Sequence, residues 1–179
     1  MSAGVQDAPR GAIEVVRGDI TLLDVDVVVN AANAALRGGG GVDGTIHRAA
    51  GPGLMDELRR FEGCAPGDAV LTRGHRLPAR WVVHAVGPIW VGGGAGEPAT
   101  LRRAYERAFA LARDAGARSI AFPAISTGVY GYPRRDAAAI AVGAMRAHAP
   151  AFDRVVACLF DAESEALYRA LLAEGVGPD

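Results

Sequence analysis

The chain has 179 residues, of which 50% are hydrophobic, and its formal net charge at pH 7 is −1. This length and apolar content predict one globular domain with a sizeable core. The near-zero charge excludes an overall basic field that would attract nucleic acid or an anionic membrane. The sequence contains no lysine, which excludes a Schiff-base lysine and a P-loop with its Gly-Lys pair.

Six apolar runs predict β-strands, and several of them are apolar throughout, as in strands that are buried on both faces. They span residues 13–16, 25–30, 68–74, 81–87, 119–125 and 154–160. Helical patterns lie between the strands, at residues 43–50, 53–62 and 98–115, from Pro133 to residue 148, and at residues 161–173. Strands that alternate with helices predict an α/β fold, a three-layer α/β/α domain.

The ends of the chain are expected to lie outside this domain. We predict a single domain over residues 12–174, with flexible termini at 1–11 and 175–179. The first twelve residues lack the apolar core of a signal peptide, and no apolar run approaches the length of a membrane span. We therefore expect a cytoplasmic protein.

A glycine-rich segment, NAANAALRGGGGVDG at residues 30–44, follows the second predicted strand. Glycine weakens helices and strands, so four in a row indicate a backbone that approaches a ligand closely. Ligands of such sheets bind at the carboxyl ends of the strands. STGVYG (126–131) follows the fifth predicted strand and Phe160 ends the last one, so the sequence predicts that three strand ends meet at one crevice.

The glycines formally match the GxGxxG pattern of a dinucleotide-binding unit, at Gly39, Gly41 and Gly44. That unit places its glycines directly after the first strand, whereas here seven residues intervene, and we therefore do not favour a nicotinamide dehydrogenase. A diphosphate held between the glycine loop and the 126–131 loop fits better, because both loops offer backbone N–H groups. The alternative is a pair of tight structural turns.

Five motifs occur in order along the chain: GDIT (18–21), NAAN (30–33), GGGGVDGTIHRAAG (38–51), VVHAVGP (82–88) and FPAISTGVYGYP (122–133). With these motifs the chain resembles the macrodomain family from about residue 13 to 172. It is most similar to the MacroD-type branch, which includes bacterial O-acetyl-ADP-ribose deacetylases. The resemblance implies a mixed, mainly six-stranded sheet between helices and ADP-ribose as the ligand. It also implies hydrolysis of O-acetyl-ADP-ribose and removal of ADP-ribose from acidic side chains of proteins.

The resemblance also implies roles for individual residues. Asp19 would accept a hydrogen bond from the adenine amino group, Ile20 would offer its backbone N–H, and Phe160 would stack on adenine. Asn33 would hold the distal ribose and Asp43 would lie beside it, which makes these two the candidate catalytic pair. The residues implied to surround the phosphates and the distal ribose are Gly40, Gly41, Val42, Ser126, Thr127, Gly128, Val129 and Tyr130.

Structural alternatives exist for most of these residues. Asp19 and Asn33 could simply be turn residues, Asp43 could cap a helix, and Phe160 could belong to the core. Three further polar residues are expected to support the structure: Asn30 by pinning the loop backbone, His47 in a supporting role, and His84 as a satisfied core histidine.

An enzyme is favoured over a reader module that binds ADP-ribose without turnover, because a reader does not need a carboxylate near the scissile ester. The four histidines and two cysteines have no metal-ligand spacing, so no metal and no cofactor are predicted. The expected partners are ADP-ribose, O-acetyl-ADP-ribose and mono-ADP-ribosylated proteins. Membrane binding is not expected, and an RNA-binding macrodomain would need a basic patch that this chain lacks.

Overall fold

The structure, a computed structural model, describes residues 9–174. Six strands of this region form one sheet in the order β1-β6-β5-β2-β4-β3. Their bounds are Ile13–Arg17 (β1), Val27–Ala32 (β2), Ala69–Arg73 (β3), Trp81–Val86 (β4), Ser119–Phe122 (β5) and Arg154–Leu159 (β6). The first five strands of this order run parallel, and β3 pairs antiparallel with β4. The predicted mixed six-stranded sheet is confirmed, and five strands end at the same edge.

Helices cover both faces of the sheet. Their bounds are Gly41–Ala50 (α1), Pro52–Leu58 (α2), Glu97–Asp114 (α3), Arg134–His148 (α4) and Ala162–Ala173 (α5). Within β2, Val27 and Val29 pack with α3, α4 and α5, whereas Val28 packs on the opposite face with α1 and α2. Each strand therefore needs apolar residues at consecutive positions, and the three-layer α/β/α architecture is confirmed.

Two strands end at positions different from those predicted. β2 continues past Asn30 to Ala32, so Asn30 lies inside the sheet and is fully buried. β5 ends at Phe122 rather than at residue 125, because Pro123 has no N–H with which to extend the ladder. The loop that follows β5 is therefore longer than the sequence pattern suggests.

The predicted flexible termini fall largely at residues 1–8 and 175–179, which lie outside the described residues. Across the region from 9 to 174, none of the helices is long and apolar enough to cross a membrane.

Candidate functional site

The predicted site residues lie along the carboxyl edge of the parallel strands. The Gly18 N–H, just after β1, donates to the Leu159 carbonyl at the end of β6 over 3.0 Å, so Asp19 and Phe160 follow neighbouring strand ends. The 126–130 loop follows β5, and Asn33 follows β2. Adjacent strands are about 4.8 Å apart, so the distance from β1 to β2 is about 14 Å. The edge therefore presents an elongated surface with Asp19 and Phe160 at one end and Asn33 at the other.

At the first end, the Asp19 carboxylate closes a turn. Its Oδ1 accepts hydrogen bonds from the Thr21 backbone N–H at 2.9 Å and from the Thr21 hydroxyl at 2.6 Å, and it caps the short 3-10 helix Ile20–Leu22. Within residues 9–174, neither Asp19 Oδ2 nor the Ile20 N–H has a hydrogen-bond partner. The turn-closing alternative is thus correct for one carboxylate oxygen, and the other oxygen is free to accept a bond.

Phe160 stands out of the protein surface at the same end. Its side chain is 89% exposed, so the alternative that it belongs to the core is wrong. Exposure of an apolar phenylalanine ring to water is unfavourable. A flat ring in that position offers a stacking surface for a planar ligand.

In the middle of the edge, the loop after β5 is held in a strained conformation. Ser126 has a φ of 68°, in the left-handed region that non-glycine residues rarely adopt. Its hydroxyl donates to the Pro88 carbonyl at 2.8 Å, and its own carbonyl accepts from the Tyr132 N–H at 3.0 Å. For the N–H groups of residues 128–130, no acceptor is found in the described part of the chain. The loop therefore presents free donors at its tip.

The glycines before and within α1 have distinct structural reasons. A Cβ on Gly44 would lie 2.6 Å from the Gly39 carbonyl oxygen, so the loop can lie against the helix only if residue 44 has no side chain. Gly41 has a φ of 59°, a left-handed conformation that favours glycine. A Cβ on Gly40 would meet nothing within 4 Å. The N–H groups of the first helical turn are unpaired within the helix and form its positive end, and they can therefore bind an anion.

Asn33 and Asp43 converge on this loop. The Asn33 side-chain amide donates to the Gly38 carbonyl at 2.8 Å, which leaves its Oδ1 buried and unpaired within the described residues. A Cβ on Gly39 would lie 3.4 Å from Asp43 Oδ2 and 3.7 Å from Asn33 Nδ2. The two side chains that the sequence analysis paired as catalytic are thus both neighbours of Gly39.

Asp43 is held from the side opposite the loop. It is the third residue of α1 and only 7% exposed, and the N-cap position belongs to Gly40, so the helix-cap alternative is wrong. Its Oδ1 accepts from Asn30 Nδ2 at 2.8 Å and lies 3.3 Å from His47 Nε2. Its Oδ2 has no partner in residues 9–174 and is not among the fully buried unpaired atoms. The structure therefore leaves one carboxylate oxygen open to a reactant.

A buried hydrogen-bonded chain continues behind Asp43. Asn30 Nδ2 also lies 3.1 Å from His84 Nδ1, and His84 Nε2 lies 3.0 Å from the Thr72 hydroxyl. Burial, followed by the proximity of His47, lowers the pKa of His84 from 6.5 to about 3. His84 is thus the satisfied core histidine that was predicted. Asn30, however, bonds the Asp43 side chain and not the loop backbone, so that expectation is wrong.

The connection between these residues is not predicted by the sequence pattern. The i, i+4 spacing of Asp43 and His47 already places them on one helix face. Asn30 and His84 are the polar interruptions of two apolar strands, and the register of β2 with β4 pairs them directly. Strand order and register were not available from the sequence, so the usable signals were this helical spacing and one polar residue within each apolar strand.

Neither cysteine is suited to nucleophilic catalysis. Burial raises the pKa of the Cys64 thiol to about 11, with a further increase from Asp68, and burial also raises the pKa of Cys158 to about 11. A thiol with such a pKa is almost entirely protonated at neutral pH. In the part of the chain that the structure describes, no cluster of three or more histidine, cysteine or acidic side chains could hold a metal ion.

Comparison with known proteins places the chain in a family. Residues 29–141 match the family model described as Macro domain. An O-acetyl-ADP-ribose deacetylase of Klebsiella pneumoniae is 53% identical over 167 residues, which cover 89% of this chain and 95% of the relative. The chain therefore belongs to the macro domain family.

Solved structures agree with this assignment. The Oceanobacillus iheyensis macrodomain with ADP has a TM-score of 0.87 and 38% sequence identity, over 97% of this chain and 95% of that one. The Trypanosoma brucei macrodomain in complex with ADP-ribose has a TM-score of 0.84 and 43% identity, over 89% of this chain and 68% of that one. The resemblance found in the sequence is thus confirmed, and with it the fold.

Proposed function

We propose that the carboxyl edge binds ADP-ribose and that the protein hydrolyses esters at its distal ribose. The substrates would be O-acetyl-ADP-ribose and proteins that carry mono-ADP-ribose on acidic side chains. Similarity to a deacetylase and to macrodomains solved with ADP and with ADP-ribose supports this proposal. The observation that carries it is the open Oδ2 of Asp43 beside Asn33, since a module that only binds has no need of a buried carboxylate with one oxygen left free.

In the proposed complex, adenine lies at the end of the edge formed by β1 and β6. Asp19 Oδ2 accepts a hydrogen bond from the adenine amino group, and the Ile20 backbone N–H donates one to the base. The exposed Phe160 ring stacks on the face of adenine. The diphosphate lies between the amides at the start of α1 and those of residues 128–130. These amides and the helix dipole replace the lysines that the chain lacks. The functional unit would be the domain at 12–174.

At the other end, Asn33 would bind the distal ribose and Asp43 would act on the water. Asp43 Oδ2 orients a water molecule and accepts its proton as the water oxygen attacks the acyl carbon. The ester C–O bond then breaks, and the ribose oxygen leaves with the proton that Asp43 accepted from the water, which returns Asp43 to the carboxylate form. His47, 3.3 Å from Asp43 Oδ1, remains on the protein side of the carboxylate. A positioned base of this kind contributes about 10²- to 10⁴-fold to the rate, and the fixed diphosphate limits unproductive geometries.

The decisive experiment compares single-turnover hydrolysis of O-acetyl-ADP-ribose by wild type and Asp43→Ala at saturating substrate, with ADP-ribose affinity measured by calorimetry. We expect Asp43→Ala to lose at least about 10²-fold in rate and to lose much less in affinity. Asp56→Ala is the matched control, because that side chain is 69% exposed and its ion pair within the described residues is with Arg59. A glutamate-linked ADP-ribosylated protein serves as the second substrate.

Two results would contradict the proposal. If wild type and Asp43→Ala hydrolyse the ester at the same rate, Asp43 has a structural role only. If wild type binds ADP-ribose tightly and releases neither acetate nor free ADP-ribose, the protein is a reader module.

A further inference from the structure

The buried hydrogen-bonded chain behind Asp43 has a fixed polarity. The Thr72 hydroxyl donates to the Arg73 carbonyl at 3.1 Å, so its oxygen is left to accept from His84 Nε2–H at 3.0 Å. His84 Nδ1 then carries a lone pair, which accepts one Asn30 amide hydrogen at 3.1 Å. The second amide hydrogen of Asn30 goes to Asp43 Oδ1 at 2.8 Å. Each bond sets the direction of the next one, from a backbone carbonyl in β3 to the carboxylate in α1.

This polarity depends on a neutral His84 in its Nε2–H tautomer. A hydrogen on Nδ1 would face the Asn30 amide hydrogens, and the amide would have to rotate so that its oxygen accepts that hydrogen. Rotation would replace the N–H group at Asp43 Oδ1 by an oxygen. Both His84 and Asn30 are fully buried, so water cannot take over either hydrogen bond.

This amide orientation satisfies Asp43 but not the oxygen of Asn30 within the described residues. Its Oδ1 is buried without a partner within residues 9–174, and buried polar atoms are rarely left unpaired in native proteins. The orientation does satisfy Asp43 Oδ1, and it leaves Oδ2 as the accessible carboxylate oxygen.

We infer that Thr72, His84 and Asn30 are positioning residues that hold Asp43 with Oδ1 occupied and Oδ2 directed to the reacting water. This inference rests on the proposed function, because it assigns these residues to the same hydrolytic site. None of the three touches substrate; they act through the carboxylate.

The test uses Thr72→Val, which keeps the shape of the side chain and removes the acceptor of His84 Nε2–H. We expect the His84 tautomer to change, the Asn30 amide to rotate, and the single-turnover rate to fall about 3- to 10-fold, as for the loss of one hydrogen bond. ADP-ribose affinity should stay within about twofold of wild type. Thr72→Ser restores the hydroxyl and should restore the rate. Asn30→Ala removes the same donor from Asp43 Oδ1 and should lower the rate to a similar extent, about 3- to 10-fold.

Thr100→Val is the control, because the Thr100 hydroxyl also donates to a backbone carbonyl, that of Gly96 at 3.0 Å, but this hydrogen bond is exposed and lies in the first turn of α3. The tautomer is read by NMR correlations between the ring nitrogens and carbons of ¹⁵N-labelled histidine, and amide rotation is read from the Asn30 side-chain signals. Unchanged turnover in a Thr72→Val protein whose tautomer has changed would overturn the inference. A Thr72→Val protein in which the His84 tautomer is unchanged would also overturn the inference.

The two proposals fail separately. If wild type and Asp43→Ala hydrolyse the ester equally, the proposed function is wrong. The NMR signals then still test the hydrogen-bonded chain behind Asp43. A shift of the Asn30 side-chain amide signals in Thr72→Val supports the positioning role, and unshifted signals refute it.

Discussion

Lowering the pH should destabilise the protein through His84. Burial, and then the proximity of His47, lowers the pKa of this residue from 6.5 to about 3 in the folded state. In the unfolded chain its pKa returns to the ordinary value of about 6.5. Between these two values the unfolded chain binds more protons than the folded one, so stability is lost as the pH falls from 6.5 towards 3.

The size of the effect follows from the two pKa values. Between pH 7 and pH 5, proton uptake by the unfolded chain at this one site lowers the free energy of unfolding by about 2 kcal/mol. The free energy of unfolding of a typical domain is about 5 to 15 kcal/mol, so this loss is a large part of it. The assay is urea unfolding at several pH values, with the free energy of unfolding plotted against pH for wild type and His84→Gln. Glutamine at position 84 retains hydrogen-bonding groups and does not titrate.

We expect His84→Gln to be less stable than wild type at pH 7 and to lose about 2 kcal/mol less between pH 7 and pH 5. His148→Gln is the control. Burial also lowers the pKa of His148, but this residue is only partly buried and stacks on Phe109, so its removal should change the slope less. Parallel stability curves for wild type and His84→Gln would refute the reasoning, as would an NMR titration of His84 near pH 6.5.

Three further predictions concern the ligand. Phe160→Ala should weaken ADP-ribose binding by about 1 to 3 kcal/mol in calorimetry through lost stacking, whereas stability should stay within about 0.5 kcal/mol because the ring is 89% exposed; Phe160→Tyr should bind normally. Asp19→Asn retains a capping oxygen for Thr21 and should still lose about 1.5 to 3 kcal/mol of binding, so unchanged affinity would reduce Asp19 to a turn residue. Gly41→Glu should abolish binding by repelling the diphosphate and should cost about 1 to 2 kcal/mol of stability, because its φ is 59°; full ADP-ribose affinity would show that this loop does not hold phosphate.

Local patterns were sufficient to predict the architecture. The strands are apolar at consecutive positions because each faces a helical layer on both sides, and the helices between them carry one apolar face. The strand ends were less predictable. β5 ends at Phe122 because the next residue, Pro123, has no N–H to donate, whereas β2 continues through Asn30 because its side chain finds buried partners in β4 and α1.

The candidate site was likewise predicted in part from the sequence and decided in part by tertiary contacts. The sequence by itself determined which loops lie at the carboxyl edge, since that follows from strand direction, and the ordered motifs indicated Asn33 and Asp43. It did not determine that Asp43 is anchored through Asn30 to His84 and Thr72. Those contacts join residues from β2, β4, β3 and α1, 12 to 54 positions apart along the chain. They exist because the register of β2 with β4 places Asn30 opposite His84 in the fully buried interior, where a polar atom is rarely left without a partner.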